Sequence, residues 1–126
     1  MMKLLLDTNV VIWLSEDNPR IHQIKPLLFS EDTELFISTV SWWEIAIKIK
    51  AGKLDINYDY IHSCAKKCKY IELPITNRYL KIYSELPVIH KDPFDHMLLA
   101  QAITCPMRLI TGDALLADYS SLVMVI

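Results

Sequence analysis

Short apolar runs alternate with longer stretches of mixed polarity along the 126 residues. "KLLL" (Lys3 to Leu6) is a short apolar run that stops at "DTN". It is too short for a helix and suits a strand buried on both faces. Asp7 or Thr8 can then cap a helix, "NVVIWLSE". A polar-rich helix is expected from about Arg20 to Glu31, then a strand, "ELFIS" (Glu34 to Ser38). "TVSWWEIAIKIKAGKL" follows as a helix with a broad apolar face, and Gly52 is a natural stop. "YDYIHSCAKKCKY" reads as a helix, "YIELP" as a strand, and "TNRYLKIYSEL" as a helix ended before Pro87. "DPFDHMLLAQAITC" reads as a helix with Asp92 as cap and Pro93 in its first turn. "RLIT" is a strand, "GDALLADY" a turn and short helix, and "LVMVI" a last strand at a sheet edge. Strands alternating with helices predict one α/β domain over residues 1–126: a three-layer sandwich around a short, mainly parallel sheet. In such sheets the functional crevice lies at the carboxyl ends of the strands.

Composition changes this picture little. The hydrophobic fraction is 52% and the charged fraction 22%, which suits a substantial core. No apolar run reaches the ~18 residues of a membrane helix. Asp7 interrupts "MMKLLLDTNVVIWL" and no small-residue cleavage site follows, so no export signal is expected. The three cysteines form no disulfide or zinc framework; Cys64 and Cys68, four apart, read as free thiols on one helix face. Reduced thiols without an export signal point to the cytoplasm. The net charge of -2 argues against a general nucleic-acid binder. Yet Lys48, Lys50, Lys53, Lys66, Lys67 and Lys69 fall in one short span. They form either a solvated helix face or a local patch that attracts phosphate.

Placed on the expected elements, the acids matter more. Asp7 directly follows "KLLL", and Asp113 follows "LIT" across Gly112, so both project to one end of a parallel sheet. Glu44 lies near the start of the helix after the second strand, and Asp95 in the first turn of its own. Four carboxylates from four segments repel one another unless a cation lies among them. Hard oxygen ligands select Mg²⁺ or Mn²⁺. Each acid also has an ordinary alternative. Asp7 can be only a helix cap, and Glu44 can close a Ser-x-x-Glu box with Ser41. Asp95 can assist the cap at Asp92, and Asp113 can serve a turn. What these alternatives leave unexplained is that all four acids lie at one end of one sheet.

Of Trp42 and Trp43, one is expected in the core, and base stacking by the other is the weaker reading. His96, His90 and Lys91 are read as rim residues of the crevice, with phosphate contact as the alternative for His96. No Ser/His/Asp order, reactive-cysteine signature or Gly-rich phosphate loop is present.

Four motifs, "LLLDTNVVIWL", "ISTVSWWEIAIKIKAGKL", "LPVIHKDPFDHMLLAQA" and "LITGDALLADY", occur in order across nearly the whole chain. Together they resemble the PIN-domain ribonucleases, and among them the VapC-type toxins of toxin–antitoxin pairs. The resemblance implies that Asp7, Glu44, Asp95 and Asp113 are the catalytic, metal-binding acids, and that Thr8, Asn9 and Thr111 support the metal site. It implies Mg²⁺- or Mn²⁺-dependent RNA cleavage, a homodimer, and a cognate antitoxin whose tail enters the cleft. Lys48 and His96 are the candidate contacts to RNA or antitoxin. The chain departs from the family pattern at His96, where arginine is usual. Histidine leaves the metal ligands intact but lacks arginine's bidentate fork.

Two other readings compete. One is a receiver-like domain that takes a phosphoryl group on an aspartate beside Mg²⁺. Against it, only one acid follows the first strand and no lysine follows the last. The other is a catalytically silent PIN fold kept for binding, which the retention of all four acids disfavours.

Overall fold

The computed structural model describes residues 1–88 and 92–126; His90 and Lys91, expected at the rim, lie outside the described residues. Five strands, β1 (Met2–Leu6), β2 (Thr33–Ser38), β3 (Ile71–Leu73), β4 (Arg108–Thr111) and β5 (Val123–Val125), form one sheet. The order is β3-β2-β1-β4-β5 and every pairing is parallel. Among the described residues the helices are α1 (Thr8–Trp13), α2 (Pro19–Leu28), α3 (Thr39–Lys50), α4 (Tyr58–Lys66), α5 (Asn77–Glu85) and α6 (Pro93–Thr104). A 3₁₀ turn spans Ala114–Asp118.

Alternation along the strands builds the two cores. Leu4 and Leu6 join Leu35, Ile37 and Ile110 in a core shared with α1, α2 and α4. Leu5 and Leu109 face the other way, onto α5 and α6. Because both faces are covered, β1 needs the apolar run that its sequence shows. α6 is buried on nearly every side from Asp95 to Ala102, which explains its lack of a polar stripe.

Two helices end earlier than expected. Past Leu28 the chain turns, with the Asp32 amide donating to Ser30 Oγ. Past Lys66, Lys69 takes a left-handed φ of 54°, which breaks α4 before Tyr70. Cys68 therefore lies beyond α4, and all three cysteines are free. Among the described residues, no helix is long and apolar enough to cross a membrane.

The topology places the crevice. From β1 the chain builds β2 and β3 on one side, then crosses to β4 on the other. The switch point lies just past β1 and β4, the place where open parallel sheets bind their ligands. β1 and β4 are in register at Leu6 and Ile110, and the Asp7 amide donates to the Ile110 carbonyl at 2.9 Å.

Candidate active site

Asp7 leaves β1 directly into α1. One carboxylate oxygen accepts from the Thr8 amide and the other from Thr111 Oγ1, each at 2.6 Å. The capping reading is therefore correct for Asp7 but incomplete, because the second oxygen is bound across the sheet. Burial pushes this carboxyl above the usual carboxylate range. The Thr111 and Thr8 hydrogen bonds pull it back, and the charges of Glu44 and Asp92 add to the rise. Thr111 also fixes Asp113, whose amide donates to Thr111 Oγ1 at 3.0 Å. Asp113 Oδ1 in turn caps the 3₁₀ turn through the Leu115 amide.

Gly112 joins these two residues, and a Cβ there would run into the Trp13 indole and approach Arg20. The Arg20 guanidinium itself lies over Trp13, 5.0 Å from the ring centroid. This close packing is why glycine separates Thr111 from Asp113.

The capping box expected at Ser41 and Glu44 is not formed. Ser38 is the cap of α3 and accepts from the Val40 amide at 3.1 Å. Ser41 is fully buried, and its hydroxyl accepts from Thr8 Oγ1 at 3.1 Å. Glu44 is thus one turn deeper in α3, freed from capping, with its carboxylate buried. Oε2 meets Lys48 Nζ at 3.1 Å, while Oε1 is buried with no hydrogen-bond partner among the described residues. An orphaned carboxylate oxygen in an acidic site is costly and suits a cation.

At the start of α6 the cap belongs to Asp92, whose Oδ1 accepts from the Phe94 and Asp95 amides at 2.9 and 3.3 Å. The Asp95 side chain is buried instead. Desolvation, then the charges of Asp7, Asp92, Glu44 and Asp113, pushes its carboxyl up to about 8. The other three predicted acids thus lie within electrostatic reach of Asp95, and Asp92 is a further one that the sequence reading assigned to capping alone. Among the described residues, no three acids stand close enough to hold a metal ion as placed. Their donor set is hard oxygen throughout, with the Thr8 and Thr111 hydroxyls behind it.

Two expectations change. Asn9 is exposed, and no hydrogen bond ties it to the acids among the described residues. His96 is buried rather than at the rim. Its Nε2 is 3.0 Å from Tyr119 Oη, and its ring meets Tyr83 and Tyr119 edge to face. The tryptophans divide as expected: Trp42 is in the core, and Trp43 is exposed against Phe94. Lys48 lines a groove with Lys53, whereas Lys66 and Lys69 line another with His62, Tyr70 and Glu72. The lysine-rich span is therefore split between two surfaces. Sequence reasoning missed Ser41 as a support, although its place three before Glu44 puts both on one face of α3.

A family model described as "PIN domain" matches residues 4–122. The chain belongs to the PIN-domain family. Solved structures similar to this PIN domain include VapBC2 from Rickettsia felis bound to a promoter DNA fragment, with a TM-score of 0.74. Identity there is 15%, over 97% of this chain and 96% of that one. VapBC-1 from nontypeable Haemophilus influenzae is 19% identical over 99% and 97% of the two chains, with a TM-score of 0.68. FitAcB from Neisseria gonorrhoeae is 20% identical over 96% of each chain, with a TM-score of 0.60. No curated protein has a sequence similar enough to match.

Proposed function

We propose that this PIN domain is a metal-dependent endoribonuclease, the toxin of VapC type in a toxin–antitoxin pair. The observation that supports the reading is a buried Asp95 within electrostatic reach of Asp7, Glu44 and Asp113, with Glu44 Oε1 buried and, among the described residues, without a hydrogen-bond partner. Asp7, Glu44, Asp95 and Asp113 would hold Mg²⁺ or Mn²⁺, which supplies Lewis acidity toward water and phosphoryl oxygens when bound. Asp7 would be the fixed ligand, because Thr8 and Thr111 hold both of its oxygens in place. Glu44 and Asp113 are the adjustable acids, either of which can also accept the attacking water's proton. The positive end of α6 favours the ionised form of Asp95 once a cation offsets its neighbours.

The partners follow from the same reading: an RNA substrate, a cognate antitoxin and a second copy of the chain, in the cytoplasm. The similar structure from Klebsiella pneumoniae is a toxin–antitoxin complex, which supports the second of these. An apolar groove of about 230 Å³, bordered by Trp43, Ile75, Leu80 and Phe94, supports the third. Light scattering of the purified chain reads that state directly, with a dimer mass expected.

The test of activity is cleavage of an RNA panel with Mg²⁺ or Mn²⁺ by wild type, Asp7→Asn and Asp95→Asn. Cleavage by wild type alone is expected. Equal cleavage by all three would make the activity a contaminant and end the proposal. Induction in bacteria should arrest growth for wild type and not for Asp7→Asn.

A further inference from the structure

Among the described residues, Lys48 and Glu44 form the one ion pair between a lysine or arginine and a carboxylate. The pair is asymmetric. Glu44 is buried, while the Lys48 side chain keeps 33% of its exposure, so the ammonium has a route to solvent. An ammonium carries three donors, and Glu44 Oε2 takes one. The groove beside it, about 380 Å³, is lined by Glu44, Lys48, Lys53, Asp92 and Phe94, among others. The chain is turned to bring the second lysine there: the Lys48 carbonyl accepts from the Lys53 and Leu54 amides at 2.9 and 3.2 Å.

We propose that Lys48 is a displaceable counter-cation, which occupies Glu44 in the resting site, yields it to a divalent ion, and then holds an RNA phosphate in the groove shared with Lys53. The inference rests on the metal-dependent nuclease reading above. Without an ion, several carboxylates crowd the crevice, and Lys48 offsets one of them. A divalent ion would bring twice the charge, and Glu44, with one oxygen unpartnered among the described residues, would be one of its ligands. Lysine suits the exchange, because its charge is a point on a flexible four-carbon stem rather than a rigid fork. A phosphate contact at this place positions the strand without reading its sequence.

The test is a Mn²⁺ titration by calorimetry on wild type, Lys48→Met, Lys48→Arg and Lys50→Met, without RNA. Methionine keeps the apolar stem, and Lys48→Gln replaces it if that variant fails to fold. Removing the competing ammonium should tighten Mn²⁺ binding about two- to five-fold, the range of a partly exposed ion pair. Lys50, exposed on another face of α3, should have no such effect. In cleavage assays Lys48→Met should raise KM, and the slope of log KM against log salt should fall by about 0.7, one phosphate contact on a single strand. Lys48→Arg should restore KM. Unchanged or weaker Mn²⁺ binding by Lys48→Met overturns the inference, as does equal tightening by Lys50→Met. If wild type neither binds Mn²⁺ nor cleaves, the nuclease reading falls and takes this inference with it. If wild type does both and Lys48→Met binds the ion no tighter, the displacement alone falls.

Discussion

Asp95 titrates far from the ordinary carboxylate range, and the consequence is measurable without substrate. Its burial and the four acids around it raise its carboxyl from the usual 3.8 to about 8. In the unfolded chain this group is ionised above about pH 4, whereas the metal-free fold keeps the proton up to about pH 8. The stability it contributes is therefore complete below the unfolded value and is lost as the pH rises toward the folded one. A difference of one bound proton gives a slope of about 1.4 kcal/mol per pH unit. Asp95→Asn has no such proton, so comparing it with wild type cancels the other titrating groups. Urea denaturation with a chelator, followed by tryptophan fluorescence, gives both stabilities. The variant should gain on wild type by about 1.4 kcal/mol per unit between about pH 5 and pH 7, levelling off above about pH 8. The proton belongs to the coupled acids rather than to one atom, and Asp7 shares in it. Mn²⁺ should reverse the wild-type trend, because ligands bind as carboxylates, and should move the variant's less. Stability curves that run parallel for the two proteins would refute the reasoning.

The other predictions concern the supports. Thr111→Val removes the hydroxyl that holds Asp7 and should cost about 1.5–3 kcal/mol by denaturant unfolding, with weaker Mn²⁺ binding by calorimetry. Gly112→Ala drives a Cβ into Trp13 and should cost about 1–3 kcal/mol on the same measurement. Asp92→Asn keeps the cap and should retain cleavage, whereas Asp92→Ala should lose about 1 kcal/mol of stability; equal losses of activity in Asp92→Asn and Asp95→Asn would erase the distinction between them. His96→Arg, restoring the residue usual in the family, forces a larger charged group into the space against Tyr83 and Tyr119 and should lower the thermal midpoint rather than improve cleavage.

The parts legible in the sequence were those set by local rules. "KLLL" had to be a strand because it is short and apolar on both faces, and "DPFD" had to open a helix because Asp92 and Pro93 satisfy its first turn. The positions of Asp7 and Asp113 followed from chain direction alone, since parallel strands put their following residues at one end. What escaped depends on packing across the sheet. The Ser41–Glu44 pattern satisfies the capping-box rule, yet Ser38 caps the helix one turn earlier, because β2 runs straight into α3. His96 looked like a rim residue because its neighbour is a site acid. In a helix, however, consecutive side chains point about 100° apart, so Asp95 faces the crevice while His96 turns toward Tyr83 and Tyr119. Asp92's second role was hidden too, since a cap is local and a field is not.

The crevice is organised so that a fixed acid stands among adjustable ones. Asp7 is locked by Thr8 and Thr111, and Thr8 is itself tied to Ser41 on α3, so β1, β4 and α3 meet at one carboxylate. Glu44 has one oxygen on a movable lysine and one without a partner among the described residues. Burial and the neighbouring acids push Asp95 toward its neutral form. On the proposed reading, a divalent cation would relieve each of the last two states, taking the place of the proton on one acid and of the lysine on the other. A site built this way should bind its ion with release of a proton, and the calorimetric heat of Mn²⁺ binding should therefore depend on the ionisation enthalpy of the buffer. Heats that are identical in phosphate-free buffers of different ionisation enthalpy would mean that Asp95 is already ionised before the ion arrives.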